Sequence, residues 1–228
     1  MNCILIRHTL APEELVALGA RLCYSKATVE DLVRRVEDTD QRAFVEKIMS
    51  MGHDSVLEHA TFTFGVEGVS RALLAQLTRH RLASYSVQSQ RYVAFNNGFD
   101  YVIPPRIVDL GAEAVQEYAE QMKTMARWYR EWCNKLGDDG QEDARFVLPN
   151  ACETRLVVTM NVRELRHLFA LRCCRRAQWE IRELATAMLA ICTATAPALF
   201  ADAGPGCVRG YCPEGEKSCG QPWKGATA

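Results

Sequence analysis

The chain has 228 residues and a formal net charge of −1, with 27 basic and 28 acidic side chains. This length allows one large domain or two small ones around a buried core. The near-zero charge argues against a nucleic-acid coat or a membrane-surface binder. The cations are uneven, because 21 are arginines, and eight arginines but no lysine fall within 145–182. Such a bias can reflect codon usage, or it can serve the bidentate recognition of phosphates by guanidinium groups.

The chain begins with a short apolar stretch, 3–8, which predicts a strand and not a signal peptide because polar residues follow at once. Pro12 favours a helix over 12–23 with its three leucines on one side. A second helical stretch is predicted over 40–51, ending at Gly52.

The next segment, 52–59, reads GHDSVLEH. Ser55 and Glu58 have the spacing of a capping box, which is a purely structural interpretation. His53 and His59 are six residues apart, which suits neither one helix face nor a common pair of metal ligands. A metal site is therefore not favoured in this segment.

Alternation of apolar residues and threonines over 60–66 predicts a half-buried strand. Ser70 is expected to cap a helix that runs into a polar segment. Gln76, Arg79 and His80 are spaced i, i+3, i+4, so they would share one face of that helix.

The polar segment 79–92 reads RHRLASYSVQSQRY and contains three arginines, a histidine and three serines, but no lysine or carboxylate. Arginine presents a planar fork of donors that binds phosphate or carboxylate oxygens in pairs. The segment therefore favours an anionic partner, although a solvated basic turn is the alternative. Residues 82–90 are expected to form a loop.

Apolar residues over 115–136 alternate in steps of three and four, which predicts one long helix closed by Gly137. Its apolar seam suits either the core or a contact between subunits. The acidic stretch 137–142 is the best candidate for an internal hinge.

A strand is predicted over 156–160, followed by a helix that Asn161 caps with Glu164 as its box partner. On that helix Arg172 continues an apolar stripe, and burial of its charge is costly without a partner. Two roles of Arg172 fit the sequence equally well: a structural salt bridge and a functional contact. The uncharged run 184–201 predicts a buried core helix and not a membrane span.

The chain contains ten cysteines, which in the expected cytoplasmic setting are reduced thiols. We predict a single catalytic domain over 1–203 and a tail over 204–228. Cys207, Cys212 and Cys219 of the tail could bind zinc with Cys173 or Cys174 as a fourth ligand, but the absence of a CxxC pair favours free thiols. No residue is assigned as a metal ligand.

The order of residues in the polar segment resembles the signature of the flavin-dependent thymidylate synthases. The matching positions are Arg79, His80, Arg81, Ser84, Ser89 and Arg91. Ser86 stands where many members have Asn, and Val87 stands where several carry Glu. The segment 52–59 and a block from Asn161 to Arg182 extend the resemblance, which covers roughly 50–182.

The resemblance implies an α+β fold in which antiparallel strands pack with long helices. It implies reductive methylation of dUMP to dTMP, with methylenetetrahydrofolate as carbon donor and NADPH-reduced FAD as hydride source. It further implies a cytoplasmic homotetramer with shared active sites and neither a nucleic-acid nor a membrane partner.

The resemblance also assigns roles to individual residues. The catalytic residues are Arg172, which would stabilise the uracil ring deprotonated at N3, and His53 beside the flavin and folate. The cofactor-binding residues are Ser55 from a neighbouring subunit and Arg79, His80, Arg81, Val87, Asn161, Arg163 and His167. The substrate-binding residues are Gln76, Arg79, Val87, Gln88, Ser89, Gln90, Arg91, Arg145 and Arg172.

Two functions of other classes compete with this interpretation. One is an RNA-binding module that uses the arginines within 145–182 as a phosphate stripe, which the neutral net charge argues against. The other is a zinc-dependent interaction protein built on the cysteines of the tail. Neither explains the spacing from Arg79 to Arg91, and the absence of a Gly-rich phosphate loop argues against a Rossmann or P-loop nucleotide site.

Overall fold

A computed structural model of the chain describes residues 1–225 and contains, in that range, four strands and ten α-helices. The strands are β1 (Asn2–His8), β2 (Thr61–Ser70), β3 (Ala83–Val87) and β4 (Glu153–Asn161). The helices are α1 (Pro12–Leu22), α2 (Val29–Glu37), α3 (Arg42–Ser50), α4 (Arg71–Leu77), α5 (Pro105–Val108), α6 (Ala112–Leu136), α7 (Gln141–Ala144), α8 (Val162–Arg172), α9 (Trp179–Thr195) and α10 (Pro197–Phe200). Short 3₁₀ helices span Asp54–His59, Arg145–Val147, Gly206–Arg209 and Gly215–Lys217.

The strands form one antiparallel sheet in the order β1-β2-β4-β3, so the fold is α+β as predicted. The chain divides into two compact units, each built from separate stretches of sequence. Unit 1 comprises Met1–Asn2, Val66–Arg79 and Tyr85–Val157, and unit 2 comprises Cys3–Gly65, His80–Ser84 and the chain from Val158 onward. The predicted division at 203/204, whose tail includes three residues outside the described range, stays a prediction.

Unit 1 is built around the long helix α6. The predicted apolar seam lies on this one helix, and Gly137 ends it with a φ of 73°, a conformation that glycine adopts without strain. Only Met122 and Tyr129 of α6 are buried within the chain. Trp128, Trp132 and Leu136 are 44–47% exposed, so much of the apolar surface of α6 faces outward.

Unit 2 contains an aromatic core between the sheet and its helices. Phe62 of β2 lies 5.7 Å from Phe200 of α10 in an edge-to-face arrangement, and Phe200 lies 6.0 Å from Phe169 of α8. The uncharged run forms α9 and α10, whose apolar residues are largely buried, so the prediction of a core helix is confirmed. Within the described residues, no helix is long and apolar enough to cross a membrane.

Several local predictions are confirmed. Ser70 accepts a hydrogen bond from the Leu73 amide at 3.0 Å and caps α4, and Asn161 accepts one from the Glu164 amide at 2.8 Å and caps α8. The alternating stretch forms β2 with Phe62, Phe64 and Val66 buried. These signals are local, because a cap or an alternation involves neighbouring residues only.

Other local predictions are wrong. Helix α4 ends at Leu77, so Arg79 and His80 do not share a helix face with Gln76, and the expected loop contains strand β3. The 3₁₀ helix after His53 has no side-chain cap, so Ser55 and Glu58 do not form a capping box. Helix α1 buries Val16 and Ala17, whereas Leu22 at its end is exposed.

The sequence interpretation also missed helix α2. Thr28 caps this helix and accepts a hydrogen bond from the Asp31 amide at 3.2 Å. A threonine followed three residues later by an acidic residue is a helix-start signal that could have identified it.

The aromatic core predicts a large loss of stability in Phe200→Ala. Removal of a buried phenylalanine should cost about 3–5 kcal/mol, because the transfer free energy and a residual cavity both count against the fold. Urea unfolding of the cofactor-free protein at fixed protein concentration measures this change in the free energy of unfolding. Phe146→Ala is the matched control, since Phe146 is 83% exposed and its loss should stay within about 0.5 kcal/mol. Equal losses in both variants would contradict the assignment of the core.

Candidate active site

His80 is the buried centre of the polar cluster in unit 2. It follows the end of α4, and its side chain is 3% exposed. His80 Nδ1 lies 2.9 Å from Glu164 Oε1. Glu164 is in the first turn of α8, where its backbone amide is held by the Asn161 cap. The cap therefore fixes the carboxylate that contacts the imidazole.

Arg172, at the last turn of α8, contacts the other ring nitrogen. Its Nε lies 3.2 Å from His80 Nε2. Because a guanidinium can only donate, Nε2 must accept, and the proton of the neutral imidazole therefore lies on Nδ1 and is donated to Glu164. Both ring nitrogens of His80 are thus used inside the protein.

The protonation state of His80 follows from its surroundings. Burial lowers the pKa of His80 below its ordinary value, and the positive charge of Arg172 lowers it further. The hydrogen bond with Glu164 acts in the opposite direction but is the smaller effect. The imidazole is therefore neutral at pH 7, in agreement with the contact from Arg172.

His167 completes this cluster. Its ring lies 5.7 Å from the ring of His80 at an interplanar angle of 62°, an edge-to-face arrangement. Glu164 and His167 are three residues apart on α8 and therefore lie on the same side of the helix. The structure thus brings together four side chains, of which Glu164 had been assigned only to the helix cap.

A second contact joins α8 to the segment that contains Ser55. Arg163 donates to a carboxylate oxygen of Glu58 in an ion pair. The backbone amide of Val162 donates to the carbonyl of Ala60 at 2.9 Å and fixes the start of α8 beside the end of this segment. Arg163 and Ser55, two predicted cofactor-binding residues, are therefore on adjoining elements, and both are exposed.

His53 lines a cavity of about 910 Å³ in unit 2. Aromatic side chains, Tyr24 and Phe44, and cationic side chains, Arg21 and Lys47, contribute to its wall. The guanidinium of Arg21 lies 4.0 Å above the centre of the Phe44 ring and donates to Gln41 Oε1. Two aspartates also line the cavity, so its wall combines aromatic surface with charges of both signs.

Unit 1 contains most of the predicted substrate-binding residues. Gln88 follows β3, and its amide donates to the carbonyl of Arg155 at 2.9 Å. Arg91 Nη2 lies 2.8 Å from Glu142 Oε2, while Arg145 Nε donates to the backbone carbonyl of Glu142 at 2.9 Å. Arg91 and Arg145, which are 54 positions apart in sequence, therefore meet at one residue.

Arg71 is a further cation in unit 1 that the sequence interpretation missed. Partial burial lowers the pKa of its guanidinium, and the nearby positive charge of Arg145 contributes in the same direction. Positive charges held close together raise the affinity for an anion between them. The sequence gives no sign that Arg71 lies near Arg145, because an arginine in the first turn of a helix resembles an ordinary surface residue.

Gln88 also lines a second cavity, of about 780 Å³, in unit 1. Phe95, Phe99 and Tyr101 contribute aromatic surface to it. Thr154 lines the same cavity, and its buried hydroxyl oxygen has no hydrogen-bond partner among the described residues. Gln88 therefore lies beside a space of ligand size.

The structure thus divides the predicted site residues between the two units. His53, Ser55, His80, Arg81, Asn161, Arg163, His167 and Arg172 belong to unit 2, and Gln76, Arg79, Val87, Gln88, Ser89, Gln90, Arg91 and Arg145 belong to unit 1. Contacts join His80, His167 and Arg172 in the first group, and Arg91 and Arg145 in the second. Arg79 and Arg81, on either side of His80, are exposed.

The chain is similar to known proteins over most of its length. A family model described as thymidylate synthase complementing protein matches residues 4–198. A protein of Geobacter sulfurreducens named flavin-dependent thymidylate synthase is 54% identical over 97% of this chain and 94% of its own length. Proteins with the same name from Clostridium tetani and Nitratidesulfovibrio vulgaris are 45% and 47% identical, each over 95% of this chain and over 92% and 93% of their own lengths.

The His80 cluster predicts a defined pH dependence of stability. In the unfolded chain the imidazole of His80 takes up a proton near pH 6.5. In the folded protein its pKa is lowered, so protonation occurs only at lower pH. The free energy of unfolding should therefore be unaffected by His80 above about 6.5 and should decrease as the pH falls from there towards the folded pKa. Urea titrations across this range measure the effect, and His80→Gln should remove it.

Nitrogen-15 NMR of the His80 ring provides the second measurement. The Nδ1–H tautomer should dominate at pH 7, because Nε2 accepts from Arg172. A dominant Nε2–H tautomer, or titration of His80 above its ordinary pKa, would contradict the hydrogen-bond assignment.

Proposed function

The chain belongs to the thymidylate synthase complementing protein family, and we propose that it is a flavin-dependent thymidylate synthase that methylates dUMP to dTMP. Methylenetetrahydrofolate is the proposed carbon donor, and tetrahydrofolate is released. The observation that carries the proposal is the guanidinium of Arg172, held in position by the buried imidazole of His80. The reaction needs a fixed cation of this kind.

Arg172 is the proposed activator of the uracil ring. C5 of uracil is a poor nucleophile until electron density is pushed towards it from a ring deprotonated at N3. The guanidinium of arginine does not release its proton, so arginine cannot accept a proton as an ordinary base. A positioned guanidinium instead stabilises the uracil anion and so lowers the pKa of the uracil ring. Such stabilisation is effective only when the donor is oriented before the reaction begins.

His80 and Glu164 would provide that orientation. Glu164 accepts the Nδ1 proton of His80, and this contact leaves Nε2 as the acceptor for Arg172. The imidazole is neutral, so the contact fixes the guanidinium without neutralising it. In this proposal His80 is a positioning residue. Both of its ring nitrogens are already in use, so its predicted contact with the cofactor can involve only the carbon edge or the face of the ring.

Arg91 and Arg145 are the proposed phosphate ligands. They meet at Glu142, which supplies one side-chain and one backbone oxygen. The Arg91–Glu142 pair is about half exposed, and an exposed ion pair contributes little to stability. The phosphate of dUMP could therefore displace the carboxylate of Glu142 at low cost. Gln76, Arg79, Val87, Gln88, Ser89 and Gln90 are the other proposed contacts of the nucleotide.

The residues of unit 2 have the chemistry that FAD requires. Arg81 and Arg163 are exposed cations suited to a diphosphate, while Asn161, His167 and Ser55 offer further hydrogen-bonding groups. Arg163 pairs with Glu58, and this ion pair is about half exposed, so a diphosphate could displace the carboxylate at low cost. Arg79 and Val87 complete the proposed set. Reduced FAD supplies the hydride when bound, with NADPH as the proposed reductant.

His53 is proposed to contact the folate. The cavity beside it combines aromatic rings with three cationic and two acidic side chains. Folates carry an aromatic bicyclic ring at one end and carboxylates at the other, so a cavity with both kinds of group suits them. In this proposal His53 packs against the rings of the folate and the flavin.

A homotetramer with shared active sites is the proposed assembly. The exposed apolar side chains of α6, including Trp128 and Trp132, support it, because a large apolar surface on a helix favours association. Ser55 is proposed to reach the FAD of a neighbouring subunit. The proposed location is the cytoplasm, and neither a nucleic acid nor a membrane is a proposed partner.

Anaerobic incubation of the FAD-supplemented protein with NADPH, dUMP and methylenetetrahydrofolate should yield dTMP and tetrahydrofolate. Arg172→Ala should lower kcat by about 10²–10³, the usual effect of losing one preorganised donor. Arg172→Lys is the matched control: it keeps the charge but loses the planar fork, so its activity should stay well below that of the wild type. Full activity of Arg172→Ala would remove Arg172 from the mechanism, and reduction of FAD without dTMP would mean that the substrate is wrongly assigned.

Arg145→Ala should raise the KM for dUMP by about 10–100-fold, because a charge-assisted hydrogen bond is worth about 1.5–3 kcal/mol. The affinity for FAD should be unchanged. Arg127→Ala is the control, since Arg127 is exposed and its nearest charged partner, Glu131, lies 3.8 Å away. Steady-state kinetics with dUMP and with deoxyuridine should show the preference for the phosphorylated substrate reduced in Arg145→Ala alone. An unchanged preference would mean that Arg145 does not bind the phosphate.

A further inference from the structure

Phe146 has the most exposed aromatic ring among the described residues, at 83% exposure. It follows Arg145 in the 3₁₀ helix Arg145–Val147, and no sequence pattern assigned it a role. A single exposed apolar side chain is common on protein surfaces and by itself implies no function. The neighbour of this ring gives it significance, because Arg145 is a proposed ligand of the substrate phosphate.

The guanidinium of Arg145 lies over the Phe146 ring. The Cζ atom of Arg145 is 5.9 Å from the centre of the ring, within the range of a cation–π contact. Arg145 Nε is held separately, because it donates to the carbonyl of Glu142 at 2.9 Å. Within the described residues, the two terminal nitrogens of Arg145 have no hydrogen-bond partner. The guanidinium is therefore held at Nε and against the ring, while its terminal nitrogens stay available for a bidentate contact with an anion.

The same arrangement occurs at the other arginine of this cluster. Arg91 Cζ lies 5.5 Å from the centre of the Tyr92 ring, and Tyr92 is 81% exposed. Arg91 and Arg145 meet at Glu142. Each of the two proposed phosphate ligands therefore lies over an exposed aromatic neighbour, which argues against a chance placement of one ring.

Arg145 needs such a contact because another cation repels it. Arg71 lies close enough for its positive charge to interact with that of Arg145. An arginine side chain has several rotatable bonds, and repulsion favours conformations in which it points away into water. A ring on the adjoining residue opposes this tendency, since the face of an aromatic ring attracts a cation.

We propose that Phe146 is a positioning residue that orients the Arg145 guanidinium for the phosphate of dUMP and so contributes to the preference for a nucleotide over a nucleoside. The inference rests on the proposed function, in which Arg145 binds that phosphate. The ring also excludes water from part of the guanidinium, which strengthens the attraction of this group for an anion. Phe146 acts entirely through Arg145 and does not itself contact the nucleotide.

Equilibrium dialysis of dUMP and of deoxyuridine against the FAD-loaded protein tests the proposal, without folate so that no turnover occurs. Phe146→Ala should weaken the binding of dUMP about two- to fivefold, the effect of one cation–π contact at an exposed site. The binding of deoxyuridine should be unchanged. Phe146→Tyr keeps the ring and should bind dUMP like the wild type, whereas Phe146→Leu keeps only apolar bulk and should resemble Phe146→Ala. Tyr211→Ala is the matched control, since Tyr211 is 77% exposed and lies in the tail.

A double-mutant cycle separates the positioning role from a direct contact with the nucleotide. In an Arg145→Ala background, Phe146→Ala should have no further effect on the binding of dUMP. An equal further loss in that background would mean that the ring contacts the substrate, and it would overturn the positioning role. A loss of deoxyuridine binding in Phe146→Ala would do the same.

Sedimentation velocity provides a further check, because an exposed ring can also serve as a contact between subunits. Phe146→Ala should form the same assembly as the wild type. A smaller assembly whose affinity for dUMP recovers at higher protein concentration would overturn the inference. Wild-type affinity for dUMP in Phe146→Ala would overturn this inference alone, whereas a wild-type protein that binds dUMP no better than deoxyuridine would overturn the proposed phosphate site together with it.

Discussion

The buried imidazole of His80, held between a carboxylate and a guanidinium, is the constraint on which the proposed active site depends. A neutral histidine can donate from one ring nitrogen and accept at the other, and the two contacts here use one of each. Glu164 accepts the proton that His80 carries on Nδ1, and the lone pair of Nε2 accepts a hydrogen bond from Arg172 Nε. Glu164 and Arg172 both lie on α8, and the Asn161 cap, which accepts from the Glu164 amide, fixes the start of that helix.

The local part of this arrangement could be predicted from the sequence, and the long-range part could not. The Asn161 cap, the Ser70 cap and the alternating strand β2 depend on neighbouring residues, and all three are confirmed. The contact between His80 and Glu164 joins residues 84 positions apart, and no spacing rule identifies it. The sequence assigned Glu164 to a capping box with Asn161. The Asn161 cap is confirmed, but the observed contact of the Glu164 carboxylate is with His80.

Strand β3 illustrates a different limit. Its residues, Ala83–Val87, belong to a segment rich in serine and flanked by arginine and glutamine, and polar composition of this kind favours a loop. Pairing with β4 decides the outcome, because a neighbouring strand provides hydrogen bonds to the backbone whatever the side chains are. The same effect ends α4 at Leu77, since the chain must become extended a few residues later.

The distribution of arginines also separates structural from functional roles. Arg166 pairs with Asp202 at 2.7 Å, and its Nη1 binds the carbonyl of Leu199, so its charge is used to attach α8 to the end of the chain's helical core. Arg172 on the same helix donates from Nε to a neutral acceptor, His80 Nε2. The neutral imidazole orients the guanidinium and adds no countercharge of its own. Arg166 is therefore an arginine that ties α8 to the following helices, whereas the Nε contact of Arg172 orients its guanidinium within the site.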